Sequence, residues 1–301
     1  MNMRAAAAAV VARHLGERPR RLEPLSGGLN NHVFRAVLGR RRMVVRLHDD
    51  AAKVAVYRNE AWAMRQAQRA RIPVPGVLAV GSDEAGRPYM LLEEVPGVPG
   101  THTRDSGGVM RELGALASRL HRLPAGHSRA SGDNSRHWTR WADYLASELK
   151  PDERLGVLDA LRALTVPERE ALQATLSQML RWRRPPVLLH GDLRLKNLII
   201  GPDDDRIRAL IDWEDCLTAP APEWDLSIAL HDLGPDDKEA FLEGYGLTPA
   251  RFARIAPAVR ALNILNYAWA MRQGLEEGQR ERVAWLKARL RGVFDLGIEP
   301  R

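Results

Sequence analysis

Asp192 and Asn197 stand five residues apart, and Asp212 follows fifteen residues later. These types at this spacing are the parts phosphoryl transfer needs. One carboxylate can orient an attacking hydroxyl and accept its proton, while an amide oxygen and a second carboxylate offer hard oxygen ligands to magnesium. His190, Arg194 and Lys196 share the same stretch, so an imidazole and two cations are at hand. The competing account is an Asp and an Asn that only cap a turn. It does not explain the flanks.

Those flanks are what must position the chemistry. Residues 187–214 read VLLHGDLRLKNLIIGPDDDRIRALIDWE. Short apolar runs at 187–189 and 198–200, bounded by turn residues, predict buried strands. A third run at 209–211 delivers Asp212. The polar turn is therefore presented from a rigid base. Upstream, a helix is expected at 3–15 and strands at 20–25, 33–38 and 43–47, with Gly39-Arg40 making a short hairpin. A helix at 54–71 and a second hairpin, 77–81 with 88–95, complete about five antiparallel strands. Pro96-Gly97-Val98-Pro99-Gly100 has the composition of a domain boundary. Beyond it the pattern is helical: 109–123, 137–149, 153–164, 167–182, 235–246, 249–255, 259–273 and 276–294.

HGDLRLKN followed by IDWE resembles the catalytic loop and metal-binding segment of the aminoglycoside phosphotransferase and choline kinase family, relatives of the protein kinases. The resemblance implies an α+β, bilobal, protein-kinase-like fold. Residues 1–97 would be a nucleotide-binding lobe, a five-stranded antiparallel sheet with a helix. Residues 98–301 would be a mainly helical lobe with the catalytic loop and acceptor site. It implies Asp192 as the base and Asn197 and Asp212 as magnesium ligands. Arg194 would lie near the transferring phosphoryl group, with Lys196 as the rival. Ser26, Gly27 and Gly28 would cover the phosphates of ATP or GTP. Val44 would cover the base and Arg46 would grip the phosphates, where protein kinases place Lys. Glu60 would pair with Arg46. The Glu93 carbonyl and Val95 amide would meet the base. Asp225 is expected to tie the loop to the helices, and His190 to brace it.

Composition bounds the alternatives. The chain has 301 residues, a net charge of +7 and one cysteine, Cys216, so no internal disulfide is expected and a reducing, cytoplasmic setting fits. No run of eighteen apolar residues predicts a membrane span. The charge surplus sits in residues 1–97, with 16 Lys and Arg against 9 Asp and Glu. No basic helix, finger motif or stacking aromatics accompany it, which disfavours nucleic acid. Residues 203–243 carry thirteen acids and three bases. Such a run would concentrate a cationic acceptor if it formed one wall; a solvated acidic face is the other reading. A small hydroxyl-bearing acceptor follows from the resemblance, with aminoglycoside, choline, thiamine and homoserine all open. A nucleotide-binding pseudokinase is disfavoured by the intact Asp192, Asn197 and Asp212. A protein kinase is disfavoured because no activation segment of the protein-kinase kind follows Asp212; Ala221-Pro222-Glu223 comes only nine residues after it.

Overall fold

The computed structural model describes residues 2–25, 32–124, 137–231 and 233–293. In chain order the elements are α1 (Met3–Leu15), β1 (Arg21–Pro24), β2 (His32–Leu38), β3 (Arg41–Leu47), α2 (Lys53–Arg69), β4 (Val77–Ser82), β5 (Pro88–Glu93), β6 (Val98–Pro99), α3 (Ser106–Leu120), α4 (Trp141–Tyr144), α5 (Pro151–Ala160), α6 (Val166–Met179), β7 (Val187–Leu189), β8 (Leu198–Ile200), β9 (Ile207–Leu210), β10 (Leu217–Ala219), α7 (Glu223–Ala229), α8 (Pro235–Tyr245), α9 (Pro249–Glu276) and α10 (Arg280–Leu290). They form two compact units. One comprises residues 1–104, 126–136 and 195–216; the other comprises 105–125, 137–194 and 217–301.

The first unit is built on an antiparallel sheet of order β1-β2-β3-β5-β4. Period-two alternation splits its faces. Phe34, Ala36 and Leu38 of β2 and Met43, Val45 and Leu47 of β3 pack against Ala6, Ala7, Val10 and Val11 of α1. The alanine run thus lets α1 lie close on the sheet, and Asn2 caps it by accepting the Arg4 N–H at 3.0 Å. Val44 and Arg46 are left for the opposite face. A small sheet, β6-β8-β9, belongs to the same unit. It is tied in where the Leu210 N–H donates to the Pro73 carbonyl at 2.8 Å.

The second unit is helical around β7 and β10, with a core drawn from α4 to α7, α9 and α10. The helices expected at 249–255 and 259–273 are one continuous helix, α9, with Pro257 inside it. Pro257 itself is exposed, and the helix continues through it with Phe252 buried before it and Ala258, Val259, Ala261 and Leu262 buried after it. On the same helix Tyr267 is buried. Trp269 is exposed, with Arg154 and Arg272 over its ring at 5.1 and 5.7 Å. Among the described residues no helix is long and apolar enough to cross a membrane.

Candidate active site

Period-two geometry places Arg46 of β3 toward α2, and Glu60 comes from the buried stripe of that helix. The Arg46 guanidinium donates to Glu60 Oε2 at 2.6 Å and lies 5.1 Å from the Tyr57 ring centre. Burial disfavours the Arg46 cation, but the Glu60 carboxylate, helped by Tyr57 and Asp212, more than offsets that cost and raises its pKa. Burial pushes the Glu60 carboxyl up to about 7 against the pull of Arg46. The pair lines a cavity of about 440 Å³ within the first unit. Val33, Val44, Leu92, Val95 and Leu198 supply apolar walls; Glu93, Lys196, Asn197 and Asp212 supply polar groups. Apolar walls combined with a few charged groups suit a ligand that carries an apolar ring and charged groups.

Asn197 and Asp212 are brought together by backbone. The Ile211 N–H donates to the Asn197 carbonyl at 2.9 Å, so the residue before Asp212 is tied to Asn197. Asp212 itself has φ 64, a strained conformation for an aspartate and one that clusters at functional positions. An amide oxygen and a carboxylate lining one cavity are hard donors, and they fit magnesium.

Asp192 and Arg194 belong to the second unit. Arg194 Nε lies 2.9 Å from Asp192 Oδ1. The loop is held from α7: Asp225 accepts the His190 and Gly191 N–H groups, each at 2.8 Å. Gly191 has φ 87, which lets its N–H turn inward without a side-chain penalty. The same Asp225 meets His121 Nε2 at 3.0 Å, and His121 Nδ1 meets the Tyr245 hydroxyl at 2.8 Å. His190 is fully buried and accepts the Asp192 N–H at 3.2 Å through Nδ1, the bracing expected of it. Ser26, Gly27 and Gly28, expected over the phosphates, lie outside the described residues.

Residues 21–262 match the phosphotransferase enzyme family. The chain belongs to that family. An aminoglycoside 3'-phosphotransferase of Streptomyces ribosidificus is 28% identical over 195 residues, 58% of this chain and 68% of the relative. Acyl-CoA dehydrogenase family member 10 of Mus musculus is 24% identical over 208 residues, 65% of this chain; the match spans only 19% of that longer protein. Among solved structures, an aminoglycoside phosphotransferase in ternary complex with AMP-PNP and hygromycin B superposes with a TM-score of 0.69 at 19% identity. That match covers 97% of this chain and 98% of the other. The GDP complex of an aminoglycoside 2'-phosphotransferase variant gives 0.70 at 14% identity, covering 97% of each. This member of the phosphotransferase family therefore has the α+β, protein-kinase-like fold.

Sequence reasoning missed two features of the site. Tyr57, whose pKa burial raises to about 12, packs on Arg46 from one helical turn before Glu60; the i, i+3 spacing was its only signal. Arg35 pairs with Glu94 at 2.7 Å and Glu23 at 3.2 Å, putting an ionic cluster at the cavity edge beside Glu93. Several carboxylates of the acidic run are paired. Asp204 pairs with Arg208, Asp205 with Arg104, Glu223 with Arg184 and Glu243 with Arg111, while Asp225 is buried under the catalytic loop.

Proposed function

We propose that the protein is a small-molecule kinase that transfers the γ-phosphoryl group of ATP or GTP to an alcohol hydroxyl. The observation that carries this reading is the 440 Å³ cavity in which Arg46, held at 2.6 Å by Glu60, shares a lining with Asn197 and Asp212. Val33, Val44 and Leu92 would enclose the base, with the Glu93 carbonyl and Val95 N–H at its edge. Arg46 grips phosphate oxygens in the bidentate manner open to a guanidinium, and Glu60 fixes its rotamer. Magnesium held by Asn197 and Asp212 would neutralise charge on the bridged phosphates.

Asp192 is the residue that orients the acceptor hydroxyl and takes its proton. Asp225 keeps it in place by fixing His190 and Gly191. Arg194 lies beside Asp192, so its role is to neutralise charge that develops there. Lys196 lines the cavity with the metal ligands and is the cation assigned to the phosphates. On this reading residues 1–97 serve the nucleotide, joined by the segment that carries Asn197 and Asp212, and the helical residues serve the acceptor. The relatives that accept hygromycin B or kanamycin support a small, hydroxyl-rich acceptor.

The test is a coupled assay of nucleotide turnover against aminoglycosides, amino alcohols, hydroxy acids and sugars, run on wild type and Asp192→Ala. The variant is expected to lose phosphoryl transfer while binding magnesium-nucleotide within about twofold of wild type, since the base touches the acceptor alone. Retained turnover in Asp192→Ala would remove the assignment of the base.

A further inference from the structure

In the first unit α2 sends two consecutive side chains to two different segments of the chain. Glu60 reaches Arg46 of β3. Asn59, half-buried beside it, reaches the chain just past Asp212. Its Nδ2 donates to the Cys216 carbonyl at 3.0 Å and lies 3.2 Å from Cys216 Sγ, a contact over 157 positions of sequence. A terminal amide nitrogen carries two hydrogens, so it can serve both acceptors. Cys216 is fully buried, and a backbone carbonyl held away from water needs a donor. Earlier on the helix, Lys53 Nζ lies 4.0 Å from Glu214 Oε2, a looser and more exposed link to the same segment.

Residues 211–216 belong to neither β9 nor β10, so hydrogen bonds outside the strand ladders must fix their shape. Trp213, fully buried, donates its indole N–H to the Leu210 carbonyl at 2.9 Å. The Cys216 N–H donates to the Trp213 carbonyl at 3.0 Å, which folds 213–216 into a turn. On the other side of Asp212, the Ile211 N–H is held by the Asn197 carbonyl. Asp212 thus lies between a fixed residue and a fixed turn, at φ 64. An aspartate keeps that conformation only where its surroundings over-determine it. Asn59 anchors the far end of the turn to a helix of 17 residues, itself fixed by its buried Tyr57, Ala61, Met64 and Ala67.

We propose that Asn59 is a positioning residue for the metal site. By holding Cys216 it keeps Asp212 in the conformation that offers its carboxylate to magnesium, so that one helix sets both the phosphate grip and the metal grip. The metal role rests on the phosphotransferase reading above; the hold on residues 211–216 rests on the hydrogen bonds alone.

Two measurements on the full chain test it. In the first, amide hydrogen exchange without any ligand is compared in wild type, Asn59→Ala, Asn59→Asp and Asn59→Gln. The Ile211 and Cys216 amides are expected to exchange at least about fivefold faster in Asn59→Ala, the loss of about one hydrogen bond, while amides of β2 and β3 stay within about twofold. Asn59→Asp keeps the shape of the side chain but cannot donate when ionised, so it should behave like Asn59→Ala. Asn59→Gln keeps the donors and should recover part of the protection. In the second, a fluorescent ATP or GTP analogue is titrated at several magnesium concentrations. Asn59→Ala should need about fivefold more magnesium, or higher, for its half-maximal effect, with metal-free nucleotide affinity within about twofold of wild type. A purely structural role would lower the midpoint of urea unfolding and leave the magnesium requirement where it is.

Unchanged exchange at residues 211–216, or a magnesium requirement within about twofold of wild type, overturns the proposal and leaves the kinase reading standing. Faster exchange there in Asn59→Ala, with no magnesium-dependent nucleotide binding in wild type, keeps the hold on the segment and removes the kinase reading instead.

Discussion

Arg46 and Glu60 are each placed by one element and completed by the other, and their substitution should separate binding from folding. On the proposed reading Arg46→Ala removes the phosphate grip, and it leaves Glu60 buried without its cation. Nucleotide affinity is expected to fall about tenfold or more, with Arg46→Lys recovering part of it, as read by fluorescent-nucleotide titration. Equal affinity in all three proteins would mean that Arg46 faces no phosphate. Glu60 also predicts a pH dependence. Its carboxyl is raised from the ordinary 4.5 to about 7, so the folded chain keeps a proton that the unfolded chain has released. The Glu60 contribution to stability is therefore complete below about 4.5 and is lost as pH rises through about 7. Glu60→Gln cannot titrate. Wild type should lose stability relative to that variant between pH 4.5 and 7, measured by urea unfolding at several pH values. A difference that stays level across this range contradicts the raised carboxyl.

Two elements are held by devices that a single substitution can break. Asp225 of α7 accepts two buried backbone N–H groups of the catalytic loop and meets His121. Asp225→Ala leaves those donors unpaired, at about 1–3 kcal/mol for each group. A lower midpoint of urea unfolding is expected, together with a fall in kcat much larger than any change in nucleotide affinity. Full activity in this variant would show that the loop keeps its shape without the anchor. Elsewhere in the same unit α3 and α8 approach through glycines. A Cβ on Gly114 would meet the Phe241 carbonyl oxygen at 2.1 Å, and one on Gly244 would meet the Arg111 carbonyl oxygen at 1.9 Å. Both obstacles are backbone, so neither can swing aside. Gly244→Ala should destabilise by about 1–3 kcal/mol through overpacking, visible in the same unfolding assay. A neutral effect would mean the two helices can part without cost.

Over the whole molecule the charge pattern reads differently in space than along the chain. The acids of residues 203–243 are divided between the two compact units, and several are matched with arginines far away in sequence, such as Glu243 with Arg111. Asp236, exposed, and Asp237, half-buried, stand in the first turn of α8, where a carboxylate favours the helix terminus. Replacing both with Asn should lower the melting temperature slightly and leave the acceptor KM within about twofold. A large rise in KM, steeper at low salt, would restore the cationic acceptor that the composition alone suggests. Asp232, the third acid of that stretch, lies outside the described residues.

The catalytic stretch was legible in the sequence because its information is local. Asp192, Asn197 and Asp212 are separated by short strands whose apolar runs and turn residues declare themselves, and so is the alternation that puts Val44 and Arg46 on one face. Arg46 with Glu60 was legible only through the resemblance to kinases, since a helix glutamate fourteen residues on carries no signal of its own. Other features depend on contacts between segments remote in the chain, which no periodicity encodes. Asp225 reaches His121 over 104 positions, and Arg35 reaches Glu94 over 59. Pro257 is a local stop signal that tertiary burial overrides within α9. The cavity that holds Arg46 is the clearest case: Arg46, Glu60, Lys196 and Asp212 come from four segments of the chain and are brought to one lining only by packing. Charge counted along a chain weighs every residue alike, whereas the field inside a cavity is set by the few groups that line it.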